Sequence, residues 1–344
     1  MKVAILTDTH YNFKKGNKTF HDYFEKFYKN IFFPKLKEQN INTVIHLGDI
    51  FDNRKSTDYW SIEWTKRVVL DPLKDYDVHA IIGNHDIFYK NTNKLNSPHL
   101  LLKDYKNIRT YAYCKEVNIG GTEILFVPWI APDEQENTIS LIEATAAKVA
   151  MGHLELGGFY VHKGHLQETS RYDTYFKKFD RVLSGHYHTR SDDGKVYYIG
   201  NPYQMYWNDY NDARGFIIFD TYDLSIEYIN NPYEMFKIIH YDEDNLQKDL
   251  SEYENCIIKV IIKNKTNQKK YEKFFDSLLK VRPYELKVIE NIVVNSDFDE
   301  EEFVLNEDTL SLLKKYVDES EIQLNKDKIK NMINSIYQES FQMQ

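Results

Sequence analysis

Cysteine is scarce in this chain: Cys114 and Cys256 are the only two among 344 residues, and they form no Cys-x-x-Cys pair. That excludes a disulfide scaffold and a cysteine-rich zinc module and suits a reducing compartment, so a cytoplasmic location is expected. Glycine (13) and proline (8) are too few for a collagen-like or low-complexity chain. Long apolar runs are missing as well, and the first ten residues already include Lys2, Asp8 and His10. Neither a membrane span nor a signal peptide is expected. Nor is there an excess of positive charge. Lys and Arg total 44 against 53 Asp and Glu, a net charge of −9, so a polyanion must be met by a local patch or by bound cations rather than by a basic body. Candidate patches are Lys14, Lys15 and Lys18, then Arg54 with Lys55, then Arg171, Lys177, Lys178 and Arg181. Each also fits an ordinary solvated surface.

What is present is a regular alternation. The run Val3 to Leu6 reads as a strand and is followed by a helical stretch carrying Phe20, Phe24, Phe27, Tyr28 and Ile31. Thr43 to Leu47 and Val78 to Ile82 repeat the strand signal, with Trp60, Trp64 and Val68 expected on one helical face between them. This is the pattern of parallel β-α-β units. Ile124 to Val127, Lys148 to Met151, Arg181 to Leu183, Val196 to Ile199 and Phe216 to Phe219 follow as further short strands rich in β-formers. After Asn230, Asn231 and Pro232 a compact β-α-β module is predicted, with strands at Ile257 to Ile262 and Leu286 to Val294. Its helix has a face of Tyr271, Phe274, Phe275, Leu278 and Leu279. An acidic stretch (Asp297, Asp299, Glu300, Glu301, Glu302) then precedes two amphipathic segments, one with Leu310, Leu313 and Val317, the other with Ile329, Met332, Ile333, Ile336 and Tyr337. The expected division is 1–230, 231–296 and 297–344.

The chemistry gathers at strand ends. Asp8-Thr9-His10 follows the first strand, Gly48-Asp49-Ile50-Phe51-Asp52 the second and Gly83-Asn84-His85-Asp86 the third. Gly152-His153 and Gly185-His186-Tyr187-His188 end two later strands. Open α/β sheets bind ligands at the carboxyl ends of their strands, and each glycine lets the chain turn so that the next polar side chains face one cleft. Asp8, His10, Asp49, Asn84, His153, His186 and His188 combine oxygen donors with imidazoles, and one carboxylate can bridge two ions. Such a set suits Mn²⁺, Fe²⁺ or Zn²⁺ better than the all-oxygen shells of Ca²⁺ and Mg²⁺. Two divalent metal ions about 3.5 to 4 Å apart are the apparatus of phosphoester hydrolysis. His46 reads as a packed strand histidine, His162 and His165 as exposed loop histidines, and Asp52 as either a neighbour of the ligands or a turn residue.

The order DxH, GDxxD, GNHD, GH, GHxH resembles the calcineurin-like metallophosphoesterase superfamily. That resemblance implies a four-layer α-β-β-α sandwich with a small α+β capping domain and a C-terminal helical tail. It also implies two ions, for which Mn²⁺ is expected. Asp8, His10, Asp49 and His188 would hold one, and Asp49, Asn84, His153 and His186 the other. His85 would be the catalytic general acid or a stabiliser of transition-state charge, with Asp86 orienting its ring. Protein phosphatases of this type read GDxxDRG and GNHE, whereas Asn53 and Asp86 stand here. The chain is instead similar to the SbcD family of recombination and repair nucleases. Gly152 to Leu156, Gly158-Phe159-Tyr160, Tyr198 to Pro202 and Arg214-Gly215-Phe216 resemble the smaller nuclease subunits of T-even phages within that family. The resemblance implies DNA as substrate, an SbcC-like ABC ATPase with a coiled coil as partner, and a homodimer within a heterotetramer. A non-catalytic DNA-end-binding scaffold and a small-molecule phosphodiesterase are the alternatives. The capping module would contact DNA, and the helical tail would dock on the ATPase.

Overall fold

The computed structural model describes residues 1–162 and 165–289, together with Val317, Lys326, residues 328–330, Met332 and Ile333. Two six-stranded sheets dominate. In chain order β1 (Lys2–Leu6), β2 (Thr43–His46), β3 (Asp77–Ile81) and β4 (Ile108–Tyr111) run parallel in the first sheet. The chain then crosses to the second sheet with β5 (Lys115–Ile119), β6 (Thr122–Val127) and β7 (Val149–His153). A hairpin of β8 (Phe159–His162) and β9 (His165–Gln167) stands apart before β10 (Arg181–Gly185), β11 (Ser191–Asp192) and β12 (Val196–Tyr198) complete that sheet. Finally β13 (Gly215–Asp220) and β14 (Ile226–Asn230) return antiparallel to the edge of the first sheet beside β1.

Alternation along each strand builds the layers. On β1, Val3 and Ile5 point between the sheets and meet Ile45, Leu47, Phe126, Val149, Met151, Leu183 and Phe219. Ala4 and Leu6 point the other way, into an aromatic layer with Phe20, Phe24, Phe27, Tyr28 and Trp64. Successive strand residues face opposite sides, so one strand serves two cores. The second sheet is likewise backed by its own layer, in which Leu125, Ala150 and Val182 pack on Ile142, Phe176 and Phe179. The result is a four-layer α-β-β-α sandwich.

The helices follow the apolar pattern with two corrections. Helix α1 (Lys18–Phe27) is capped by Asn17, whose Oδ1 accepts from Thr19 N and Phe20 N, and buries Phe20, Phe24 and Phe27 as its spacing requires. In α2 (Tyr59–Thr65) Trp64 is buried, as is Val68 just beyond, but Trp60 is 40% exposed. Trp60 sits on the first turn, past the rim of the core, and only its edge meets His21. After α3 (Gln135–Ala144) in the second sheet's outer layer, β15 (Phe236–Asp242), β16 (Ile257–Asn264), α4 (Gln268–Lys280) and β17 (Glu285–Ile289) form a separate three-stranded parallel sheet with one helix. On α4, Phe274 and Leu278 are buried while Leu279 is 57% exposed, because a single small sheet covers a narrower stripe than the sequence offers.

Most of the predicted C-terminal segment (Leu310, Leu313, Ile336, Tyr337 and the acidic stretch) lies outside the described residues, as does the strand reading beyond Ile289. Val317, Ile329, Met332 and Ile333 are helical. Among the described residues no helix is long and apolar enough to cross a membrane.

Candidate metal centre

All the predicted ligands arise at the carboxyl ends of β1, β2, β3, β7 and β10, so both sheets feed one cleft. The turns are tight. Asp8, His10, Asp49 and His186 all have positive φ (51°, 44°, 53° and 89°), a conformation that costs side-chain-bearing residues energy and concentrates at functional sites. Backbone bonds from Asp8 N to the Gly48 carbonyl (3.0 Å) and from His10 N to the Asp49 carbonyl (3.1 Å) lace the first two turns together. Gly83 must lack a side chain, because a Cβ there would overlap the Asp49 carboxylate.

The side chains converge in three overlapping groups whose ligand atoms lie within 4.8 Å of one another: Asp8, His10 and His188; Asp8, Asp49 and His153; and His10, Asp52 and His85. His153 donates Nδ1–H to the Leu47 carbonyl (2.8 Å), which turns its Nε2 toward Asn84 Oδ1 (2.9 Å) and Asp49 Oδ2 (3.4 Å). His186 reaches the same Asn84 oxygen through Nδ1 at 3.0 Å, so Asn84, His153, His186 and Asp49 share one locus. His10 Nε2 lies 3.3 Å from His188 Nε2 and 3.8 Å from Asp49 Oδ2, and His188 Nε2 lies 3.9 Å from Asp8 Oδ1. Two imidazole nitrogens facing each other beside two buried carboxylates can share a proton or a metal cation.

Protonation tells the same story. Burial would lower His10 and His153. Instead, the Asp52 carboxylate beside Nδ1 and the Asp49 charge raise His10 to about 9, and Asp49 raises His153 to about 9. Burial and the neighbouring His153 charge push His186 down to about 3. Buried carboxylates are recruiting positive charge, the role that metal ions fill. This donor set fits a pair of divalent ions.

One assignment beside the ligands changes, and the open one for Asp52 gains contacts. Asp86 does not orient His85: its Oδ1 accepts from Ile50 N (3.0 Å) and Phe51 N (3.1 Å), and its Oδ2 from Gly83 N (2.9 Å). Both oxygens are spent on amides, so Asp86 ties the second turn to the third. The ring of His85 is held by Asp52, whose backbone carbonyl accepts Nδ1–H at 2.8 Å, leaving Nε2 available for proton exchange. The Asp52 carboxylate also lies 3.3 Å from His10 Nδ1, the carboxylate-histidine arrangement that orients metal-binding imidazoles. His85 N in turn donates to Asp49 Oδ1 (2.7 Å).

His46 is packed, as expected. Gly48 N donates to its Nδ1 (3.2 Å), its Nε2 meets Thr9 Oγ1 (2.9 Å), and burial pushes it down to about 3. His162 and His165 are exposed, their rings stacked 5.2 Å apart, and belong to none of the three groups. Two residues near the site carried no signal as ligands. Trp129, after β6, has its ring centroid 5.1 Å from that of His186. Arg214 is 3% exposed and donates to the His188 carbonyl and Asn201 Oδ1 while paired with Asp209 (2.9 Å) and Asp212 (2.7 Å). The word Arg214-Gly215-Phe216 was its only trace in the sequence. A cavity of about 600 Å³ opens beside Asp77, His79 and Arg109 at the other end of the strands and holds none of these ligands.

Residues 1–190 match the model of the calcineurin-like phosphoesterase family. This chain belongs to that family. A calcineurin-like phosphoesterase uses divalent metals, in accord with the donor set above. The chain is 32% identical over 283 residues to Exonuclease subunit 1 of Enterobacteria phage T4, a match covering 82% of each protein. Among solved structures it is similar to an archaeal phosphodiesterase, at 15% identity and a TM-score of 0.35 over 67% of this phosphoesterase and all of that chain. It is also similar to purple acid phosphatase PPD1 from yellow lupin (Lupinus luteus) seeds, at 11% identity and a TM-score of 0.36 over 66% of this chain and 52% of the other.

Proposed function

We propose that this phosphoesterase is the nuclease subunit of an SbcC-SbcD-like recombination and repair complex and hydrolyses DNA phosphodiesters at a two-metal centre. The observation that carries the reading is the match to T4 Exonuclease subunit 1 across 82% of both chains. Asp8, His10, Asp49 and His188 would hold one ion and Asp49, Asn84, His153 and His186 the other. Mn²⁺ is the ion proposed. When bound, the pair supplies Lewis-acid stabilisation of the phosphoryl oxygens and activation of the attacking water.

The chain's own residues do the rest. Leu47 and Asp52 set the tautomers of His153 and His85 through their carbonyls, and the Asp52 carboxylate aims His10. As water adds to phosphorus and the phosphorus–oxygen bond breaks, His85 in its imidazolium form, with Nδ1–H on the Asp52 carbonyl, delivers its Nε2 proton to the departing oxygen and is reprotonated by the proton that the attacking water gives up. The proposed organisation is a nuclease core at 1–230, a DNA-contacting cap at 231–296, and a linker and tail at 297–344 that docks on the ATPase of a heterotetramer built on a nuclease homodimer. The change of sheet between Asn230 and Phe236 supports the first boundary.

The test is to assay the purified chain with Mn²⁺ on linear duplex DNA, single-stranded circles and bis-p-nitrophenyl phosphate. Cleavage of DNA is expected. Hydrolysis of the small diester alone would make the chain a small-molecule phosphodiesterase, and no hydrolysis of any substrate would make it a scaffold. Deleting residues 304–344 should abolish co-purification with the ATPase while sparing metal-dependent cleavage of short DNA. Retained association would remove the tail from the interface.

A further inference from the structure

Two turns that carry proposed ligands continue outward as the walls of a groove. Past Asp52 the chain forms one wall with Asn53, Arg54, Ser56 and Thr57, and past Asp86 it forms the other with Phe88, Leu95 and Leu100, around a space of about 200 Å³. The walls are joined at their root by the bond from His85 Nδ1 to the Asp52 carbonyl. The groove therefore opens on the side of the site where His85 stands.

Its polar wall holds a guanidinium with unpaired donors. Arg54 Nε and Nη1 are buried without a hydrogen-bond partner, although this side chain never gives up its charge. The charge that acts on it is that of Asp49, and burial works against it. Buried donors left unpaired cost free energy, and such groups call for an explanation in terms of a missing partner. The turn that presents Arg54 is preformed, because Asn53 Oδ1 accepts from Lys55 N (2.8 Å) and Ser56 N (3.4 Å). Facing it, Phe88 is 38% exposed, and its ring packs edge-on against Tyr89, centroids 4.8 Å apart. An unpaired guanidinium opposite an open aromatic face matches one ligand chemistry: a phosphodiester followed by a sugar and base.

We infer that this groove is the subsite for the departing strand, in which Arg54 clamps the phosphate next to the scissile one and Phe88 receives the adjoining base. The inference rests on the nuclease reading and on His85 as donor to the leaving oxygen, since the strand beyond that oxygen must leave past His85. With Lys55, which lines the same groove, Arg54 gives a chain of net charge −9 local positive charge beside the site.

The experiment compares the full-length wild type with Arg54→Gln, Arg54→Lys and Phe88→Ala under Mn²⁺. The substrates are a single-stranded oligonucleotide and bis-p-nitrophenyl phosphate, which has no neighbouring phosphate. For Arg54→Gln, kcat/KM should fall about tenfold or more further on the oligonucleotide than on the small diester, the worth of one charge-assisted hydrogen bond. The slope of log KM against log salt should become shallower by about one, and Arg54→Lys should restore it. Phe88→Ala should lose oligonucleotide kcat/KM while keeping the wild-type salt slope. Equal losses on both substrates would place Arg54 on the reacting phosphate and overturn the subsite, as would no loss on either. If the wild type hydrolyses the diester but not the oligonucleotide, the nuclease reading falls, and the subsite with it.

Discussion

At the scale of single residues, the proposed assignment separates groups that would hold metal from groups that would move protons or hold the holders. His85 has its amide on Asp49 and its Nδ1 on a carbonyl, so none of the proposed ligand sets needs its ring. His85→Ala should therefore keep two Mn²⁺ per chain by elemental analysis yet lose about 10²–10⁴-fold in turnover, the usual worth of a general acid. Asp49→Ala, by contrast, should lower the stoichiometry itself, and unchanged occupancy would end its bridging role. Asp52 and Asp86 make a second contrast. Removing the Asp52 carboxylate frees His10 Nδ1, so Asp52→Ala should weaken Mn²⁺ binding about 10–100-fold in calorimetry with little change in the thermal midpoint of the chelator-stripped protein. Asp86→Ala strands three buried amides at about 1–3 kcal/mol each and should appear first as lost stability.

At the scale of elements, the ligands were legible because each follows a glycine or turn at the end of an apolar strand, and strands are what a sequence pattern shows best. The partition of labour between Asp52 and Asp86 was not legible. It depends on which oxygen meets which amide, and both residues stand in equally polar turns. Arg214 was hidden for another reason: its partner, the His188 carbonyl, belongs to the backbone and leaves no mark in residue type. Strand β15 was missed because Phe236–Asp242 pairs with β16 at the edge of a small sheet, half-buried and without a continuous apolar run. Breaking the buried Arg214 cluster by Arg214→Ala should cost about 3–5 kcal/mol in chemical denaturation, as expected when two carboxylates lose their counter-charge. Helices α1 and α2 are joined by another charge cluster, in which Glu25 accepts from Arg67 through both Nη atoms (3.1 Å each) and from Trp64 Nε1 (3.2 Å). Arg67 holds Glu25 down at about 2 from its usual 4.5. A depressed carboxylate stabilises the fold above its unfolded pKa and ceases to as pH falls through its folded value. Wild type should thus lose more stability than Glu25→Gln between about pH 4.5 and 2 in acid titrations followed by circular dichroism. The difference should be about 1 kcal/mol or less, given the solvent around the pair.

At the scale of the whole molecule, the site is also a joint. The first sheet supplies Asp8, His10, Asp49 and Asn84, and the second supplies His153, His186 and His188. Between the sheets lies a close-packed apolar layer whose attraction is itself non-directional. At the open end of the sandwich, buried carboxylates and imidazoles from opposite sheets face one another with too little positive charge, and protons on His10 and His153 are the stand-in. Two divalent ions at the proposed centre would take donors from both sheets and relieve that imbalance, so metal affinity and fold stability should be linked. An ion that binds only the folded state adds RT ln(1 + [L]/Kd), about 2.7 kcal/mol at one hundred times Kd. Mn²⁺ at that excess should raise the thermal midpoint by several degrees over protein stripped with chelator, with the midpoint climbing as log concentration. Asp49→Ala should flatten the climb because its carboxylate touches both loci, whereas His85→Ala should keep it. A wild-type midpoint indifferent to Mn²⁺ and chelator would mean that the sheets are held without the ions, and that the convergence of these seven side chains is not a metal centre.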